Sequence, residues 1–397
     1  MVQFEFLGPR SIKLGQAVTV GLFALLSIFL YSRAGILYIF YANAPTRLIK
    51  VNNLPHLDIK FQNVVRNCEH MVLEPSAAFA LLSCDPGRDT WNTVMGTFID
   101  ANSPPETGVY IWKYADADAT SHPQKLKLLD YPASPSDFHP LGIHLHSASN
   151  TLYIVNHAAS GSRVEVFRLF PAEQAATHIK TIKHDLLAAP NSITALSESE
   201  LLVTCDHYFL RKNQPILAQV ETYTGIPGGS VVHVDLGADE AKINLVTRVP
   251  FANGIAQLNT TTFAVASTST NAVYLYLLSR HDGPPRLTRT ATIPLSFHPD
   301  NLSVDGAGNL LIAGHPHGPT FEEVMKDAAA RAGDGDKTDE KSWKGSSWVS
   351  KWNPSDGLKT LYVGDEYGTS CTAVRDSGRK LGMAVGLYER GVLTWTE

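Results

Sequence analysis

A basic surplus is missing from this chain: 33 Lys and Arg residues face 38 Asp and Glu, for a formal net charge of -5. That balance leaves no electrostatic footprint for nucleic acid, and no nucleic-acid partner is expected. Long helical patterns are missing beyond residue 43, which speaks against a helical bundle. No Gly-x-Ser-x-Gly run occurs and no Ser, His, Asp order can be defended, so a nucleophile elbow is excluded. The pairs His144-x-His146 and His315-Pro316-His317 lack a third ligand at useful spacing, and residues two apart share a strand face without any metal. Zinc is therefore not expected. The run Asp334-Gly335-Asp336-Lys337-Thr338-Asp339 lacks the glycine and terminal glutamate that an EF-hand loop needs, so no calcium is expected there.

What the chain does have is strand-forming material. Hydrophobic residues make up 44%, ample for a core, and 14 Tyr, 16 Phe and 29 Gly favour strands joined by tight turns. Alternating stretches recur, among them Leu152-Tyr153-Ile154-Val155, Val164-Glu165-Val166-Phe167, Val273-Tyr274-Leu275-Tyr276 and Leu310-Leu311-Ile312-Ala313. Ser149-Asn150, Asn259-Thr260 and Asp305-Gly306-Ala307-Gly308-Asn309 read as turns between them. The last holds a Gly-x-Gly that joins two strands and opens no helix, a hairpin rather than a nucleotide cradle. The fold class is all-β.

One long apolar run precedes these strands. Residues 14–32 carry no charge and include Val18, Leu22, Phe23, Leu25, Leu26 and Ile28, enough to cross a bilayer, and Arg33 leads into a second apolar stretch, 34–42. The run is longer than a signal-peptide core, so residues 1–43 read as a tail and an uncleaved transmembrane helix. Arg10 and Lys13 before it, and Arg33, Arg47 and Lys50 after it, leave its orientation unsettled by charge. Asn259 opens a glycosylation sequon at a turn, which agrees with a membrane-anchored protein whose domain is lumenal or extracellular. Among four cysteines, the spacing of Cys68 and Cys84 suits a disulfide across neighbouring antiparallel strands, with two buried thiols as the alternative. Residues 44–60, broken by Pro45, Asn52, Asn53 and Pro55, read as a linker and lead-in. Residues 61–397 read as one domain with an insertion at 321–344, in which 321–330 forms a short helix over one mouth.

The most informative pattern is a set of strand starts. Asn67-Cys68-Glu69, Pro190-Asn191-Ser192-Ile193, Phe251-Ala252-Asn253-Gly254-Ile255 and Pro299-Asp300-Asn301-Leu302 each set an oxygen-bearing side chain beside an apolar strand. Pro140-Leu141-Gly142-Ile143 repeats the form without the oxygen. With Glu69, Gly142, Asn191, Asn253, Asn301 and Ser370 as equivalent points, each interval holds roughly four strands, which predicts a six-bladed β-propeller. Glu69, Asn191, Asn253, Asp300 and Asn301 would then bring two carboxylates and three amide oxygens to the axis, a set that suits Ca2+ with water or substrate completing its shell. A cation left partly open can polarise a carbonyl and stabilise the oxyanion formed when water adds to an ester or lactone.

Phe251-Ala252-Asn253-Gly254-Ile255, Asp300-Asn301-Leu302-Ser303-Val304-Asp305, Asp206-His207-Tyr208-Phe209-Leu210 and Val155-Asn156-His157 resemble the serum paraoxonase/arylesterase family. The resemblance covers most of residues 60–390. It implies a calcium-dependent six-bladed propeller that hydrolyses small-molecule lactones and aryl esters, with Glu69, Asn191, Asn253, Asp300 and Asn301 as ligands of one catalytic calcium. It implies His157 as half of a histidine dyad whose partner position is here Leu141, so that Glu69 or Asp300 is the alternative proton acceptor. It places His207 and His315 at the border of the pocket, His207 more as hydrogen-bonded scaffold than in chemistry. A second, structural calcium is not expected, because the family's acidic positions are His70 and Ser192 here and its backbone ligand corresponds to Ile143. An imidazolium at His70, paired with a nearby carboxylate, would fill that place. The family's disulfide between the domain ends has no counterpart, and Cys68 and Cys84 offer a local bridge instead. The alternative function is a calcium-bound propeller that has lost hydrolysis and serves as a binding or scaffold module. The sequence sets no oligomeric state.

Overall fold

Among the described residues, strand alternation and turn chemistry resolve into six sheets of four strands, two of them extended by a fifth, and a separate two-stranded ribbon that pairs Trp91–Asn92 with Thr97–Phe98. The computed structural model describes residues 14–115, 121–238, 240–280, 283–334 and 345–397, so residues 335–339 of the acidic run lie outside the described residues. The first strand of each sheet is Cys68–Glu74, Pro140–His146, Pro190–Ala195, Ala252–Gln257, His298–Val304 and Ser370–Asp376. Each of these inner strands touches the next, and the last touches the first. The sheets are therefore six blades of a propeller. Its core lies between blades, as where Leu141, Tyr153, Val164, Ile193, Val203 and Val232 pack together; burying each such side chain is worth about 1.5–3 kcal/mol.

The ring closes through both ends of the propeller chain. Val392–Thr396 pairs with Asp58–Lys60, Ile59 standing opposite Leu393. Val51–Asn52 extends the fifth blade, Val51 opposite Val363. Within residues 44–60, expected as a linker and lead-in, Val51–Asn52 and Asp58–Lys60 thus belong to the propeller, because a strand added from the other end covers an edge that would otherwise expose unpaired N–H and C=O groups.

A register slip at the start of every inner strand explains why the axial motifs recur. The slips bracket Glu69 (between Cys68 and His70), Leu141 and Gly142, Asn191 and Ser192, Asn253 and Gly254, Asp300 and Asn301, and Cys371. A bulge of this kind interrupts the ladder and re-aims the side chains, here toward the axis. Proline at 140, 190 and 299 costs little at such a place, since its missing N–H is not needed by a regular ladder. Two of the freed N–H groups, of His70 and Ser192, donate to Ser83 Oγ (3.1 Å) and Thr204 Oγ1 (2.9 Å). A Cβ on Gly142 would stand 2.1 Å from the Asn191 carbonyl oxygen, and one on Gly254 2.6 Å from Asn301 Cα, so neighbouring inner strands approach this closely only with glycine there. In the sixth blade the slip brackets Cys371, one residue beyond the expected Ser370, and its side chain packs in the core rather than at the axis.

Helix α1, Leu14–Ala42, joins both apolar stretches into one element of 29 residues. Its part from Gly15 is long and apolar enough to cross a membrane, and Val18, Leu22, Phe23, Leu25, Leu26 and Ile28 are exposed. Its last turns dock on the propeller. Arg33 donates to the carbonyls of Tyr223 (3.1 Å) and Ser269 (2.7 Å), and Asn43, just past the helix, donates to those of Ser296 (2.6 Å) and Pro316 (2.9 Å). Helix α2, Pro215–Thr224, meets α1 here, and α3, Gly318–Asp334, runs over the same face. The expected insertion helix is therefore longer than 321–330. Cys68 and Cys84 face each other in the first blade and are joined by a disulfide; Cys205 and Cys371 are buried free thiols. Asn259 lies exposed in the hairpin after Gln257, its Oδ1 accepting from the N–H groups of Thr261 and Thr262.

Candidate active site

The bulges deliver Glu69, Asn191, Asn253 and Asp300 to the floor of a cavity at the α1 face. Asn301 joins them from below, donating through Nδ2 to Glu69 Oε1 at 2.8 Å, and Asn253 Nδ2 donates to Thr268 Oγ1 at 3.1 Å. With those amide N–H groups tied back, the oxygens are left over. Glu69 Oε2, Asn191 Oδ1, Asn253 Oδ1 and Asn301 Oδ1 are buried without a hydrogen-bond partner. Leaving one buried acceptor unsatisfied costs about 1–3 kcal/mol, and four together call for a shared partner that brings positive charge. Burial, and then the nearby Asp300 carboxylate, pushes Glu69 up to about 8. Two carboxylates held together out of water behave this way until a cation relieves them. Hard amide and carboxylate oxygens fit calcium. Among the described residues no group of three or more His, Cys, Asp or Glu side chains is placed to hold a metal; the donors at the axis are mostly amides.

His315 stands beside this floor. Its Nε2 lies 3.1 Å from Asp300 Oδ2, its ring stacks on Phe321 at 4.0 Å between centroids, and its Nδ1 has no partner. His298 lines the cavity too, its ring 5.1 Å from that of Phe40 of α1. Burial holds His298 down to about 4, so it is neutral. The sequence reading missed it, although it immediately precedes Pro299-Asp300.

His157, expected to take the proton, is not among the residues lining this cavity. It is fully buried, with Nδ1 2.5 Å from Thr93 Oγ1 and Nε2 2.6 Å from the Pro190 carbonyl, so neither nitrogen is free. Burial lowers its pKa. His207 borders a separate cavity, hydrogen-bonded through Nδ1 to Asp206 (2.7 Å) and through Nε2 to Thr222 (2.7 Å). Leu141 does line the axial cavity. His70 departs from the imidazolium expected of it: its Nδ1 accepts the Ile143 N–H at 3.0 Å, and burial lowers it to about 4. A neutral ring brings no charge in place of a second cation. Ser192 Oγ is buried with no partner.

The upper walls are apolar and were not read from the sequence as pocket. Ile36 and Phe40 of α1 face Val94, Met95, Phe251 and Phe321 across the cavity. The apolar helix thus supplies one wall of the site.

A family model described as Arylesterase matches residues 109–330, more than half of the chain. The chain belongs to the arylesterase family. Among its relatives, serum paraoxonase/arylesterase 2 of Canis lupus familiaris is 32% identical over 187 residues, 46% of this chain and 51% of that protein. Serum paraoxonase/arylesterase 1 of Mus musculus is 33% identical over 202 residues, 49% and 54% of the two chains. Serum paraoxonase/lactonase 3 of Oryctolagus cuniculus is 33% identical over 168 residues, 42% and 45%. The arylesterase-family match to these proteins spans about half their length. A gluconolactonase structure from Xanthomonas campestris superposes with a TM-score of 0.51 at 15% identity, covering 86% of this chain and 89% of that one, which shows a shared fold alone.

Proposed function

We propose that this arylesterase-family chain is a membrane-anchored, calcium-dependent hydrolase of lactones and aryl esters. The supporting observation is the cluster of four unpartnered oxygens, with Asp300, on the floor of an apolar cavity. Glu69, Asn191, Asn253, Asp300 and Asn301 would hold one Ca2+, which when bound supplies the positive charge that polarises an ester carbonyl and offsets charge on its oxygen as water adds. The proton goes to this chain's own base. With the hydrogen on Nε2, His315 donates to Asp300 and keeps a lone pair at Nδ1 to accept a proton from the attacking water. Asp300 fixes that tautomer, and stacking on Phe321 holds the ring. His315 thus takes the role first assigned to His157, Glu69 or Asp300. Ile36, Phe40, Leu141 and Phe251 would receive the acyl chain and exclude bulk water.

The names of the arylesterase, paraoxonase and lactonase relatives support the same substrate class. The apolar part of α1 supports anchoring, and the Cys68–Cys84 disulfide with the exposed Asn259 sequon supports a lumenal or extracellular propeller. The test is hydrolysis of a panel of lactones and aryl esters by the purified full chain. Turnover that disappears with chelator and returns with calcium is expected. No turnover under either condition, with calcium bound, would leave the scaffold reading.

A further inference from the structure

Three arginines line the axial cavity: Arg33 from α1, Arg88 from the short helical turn 86–89, and Arg211 from the segment before α2. None of the three takes part in an ion pair among the described residues, whereas Arg66, Arg163, Arg375 and Arg379 all do. The contrast is sharpest at equal burial. Arg163, 3% exposed, donates from Nε to Glu165 at 2.7 Å; Arg88, 4% exposed, has an Nε with no partner and one terminal nitrogen on the Pro140 carbonyl at 3.1 Å. Arg211 repeats this, with a buried, unpartnered Nε and a single 3.3 Å bond to Thr222 Oγ1. Arg33 meets only carbonyl oxygens.

The acids that line the cavity, Glu69, Asp300 and Glu322, make no ion pair with any of the three among the described residues, although the Glu69 carboxylate acts on Arg88 at longer range. Glu322 accepts the Tyr223 hydroxyl, and Glu69 and Asp300 are committed to the cation under the proposed function. A guanidinium out of water needs an anion, and its planar fork matches a carboxylate or a phosphate.

We infer that this cavity recognises esters or lactones that carry a second, anionic group, a carboxylate or a phosphate away from the reacting carbonyl, held by Arg88 and Arg211 with Arg33 adding charge at the α1 wall. The apolar lining between them suits the methylene chain that joins the two groups. The ester half of this substrate rests on the hydrolase reading; recognition of the anion rests on the guanidinia alone.

The full chain in zwitterionic-lipid nanodiscs is assayed on three aryl esters with the same reacting bond, their long acyl chains ending in a carboxylate, a methyl group or a quaternary ammonium. The carboxylate ester should have a kcat/KM about tenfold or more above the methyl ester, as one charge-assisted hydrogen bond would give, with the ammonium ester lowest. Arg88→Gln and Arg211→Gln should each lower the carboxylate-to-methyl ratio about tenfold, and Arg88→Lys should keep part of it. A wild-type ratio near one overturns the inference, as do variants that weaken both esters in equal proportion, since that marks a structural role.

Calorimetric titration with dodecanoate, dodecyl phosphate and dodecanol gives a readout independent of turnover. Both anions should bind about tenfold or more tighter than the alcohol, a gap that Arg211→Gln removes. Equal binding of all three overturns the inference. Arginine-dependent anion binding without hydrolysis of any ester leaves it standing and sinks the hydrolase reading. Phosphatidic acid in the disc that competes with the soluble carboxylate ester assigns a lipid headgroup as the anion; indifference to that lipid assigns a free small molecule.

Discussion

The propeller holds two buried polar clusters of similar composition and opposite bookkeeping. In the second blade, Glu165 Oε1 accepts from Arg163 Nε (2.7 Å) and Tyr131 (3.1 Å), and its Oε2 from Thr181 (2.5 Å), with His178 Nε2 3.1 Å away. Asn156 completes that cluster, its Oδ1 accepting the His139 N–H at 2.8 Å. At the axis, Glu69 and three asparagines are just as buried, yet four of their oxygens find nothing. A satisfied network of this sort locks a blade; an unsatisfied one, held open by bulges, is aimed at something the chain itself does not contain. The same contrast separates Arg163 from Arg88.

Substitutions should divide along that line. The largest effect is expected at the axis: Asp300→Ala and Asn253→Ala should lower kcat/KM for an aryl ester by about 10²–10³-fold, with a Tm like that of the chelated wild type. Activity within tenfold of wild type in both would break the comparison. In the second blade, Glu165→Ala should do the reverse. Stability by urea unfolding should fall by about 3 kcal/mol, because buried Arg163 is left with only the longer pair to Asp137 at 3.6 Å, while turnover per folded molecule stays near wild type.

Acid should act through the buried histidines. His70 and His298 are held near 4 in the folded chain against about 6.5 unfolded, so between those values the unfolded state binds more protons. Their contribution is intact above pH 6.5 and is lost as pH falls toward 4, by about 1.4 kcal/mol per pH unit for each. Glu69, raised to about 8, works in the opposite sense over this range in the chelated chain and offsets about one ring's share. Urea midpoints at pH 7 and pH 5 should therefore differ by about the other ring's share, and equal midpoints would show that the rings are hydrated. The smallest effect is expected at His157: with both ring nitrogens spent on Thr93 and Pro190, His157→Gln should change kcat by less than about tenfold. A loss as large as that of Asp300→Ala would return His157 to the chemistry.

The axial cluster was legible because bulges demand local chemistry. Proline before the bulge, glycine at 142 and 254 and asparagine between them are choices that neighbouring residues reveal. Ring closure was not legible, since strands as short as Val51–Asn52 and Asp58–Lys60 carry no alternation to read. The wall formed by α1 was hidden for a different reason. An apolar helix reads as a membrane span throughout, and only its contacts with Tyr223, Ser269 and His298 show that the last turns belong to the site. Side-chain direction was hidden too: His315 ends its strand and His157 follows Asn156 at the end of another, and Thr93 draws His157 away while Asp300 holds His315 at the cavity.

Calcium titration of the chelated full chain by calorimetry tests the axial cation site most directly. One ion bound per chain is expected, with a raised Tm, and both signals should vanish in Asp300→Ala. No calcium heat, together with a Tm indifferent to chelator, would contradict the reading of the four axial oxygens as a cation site.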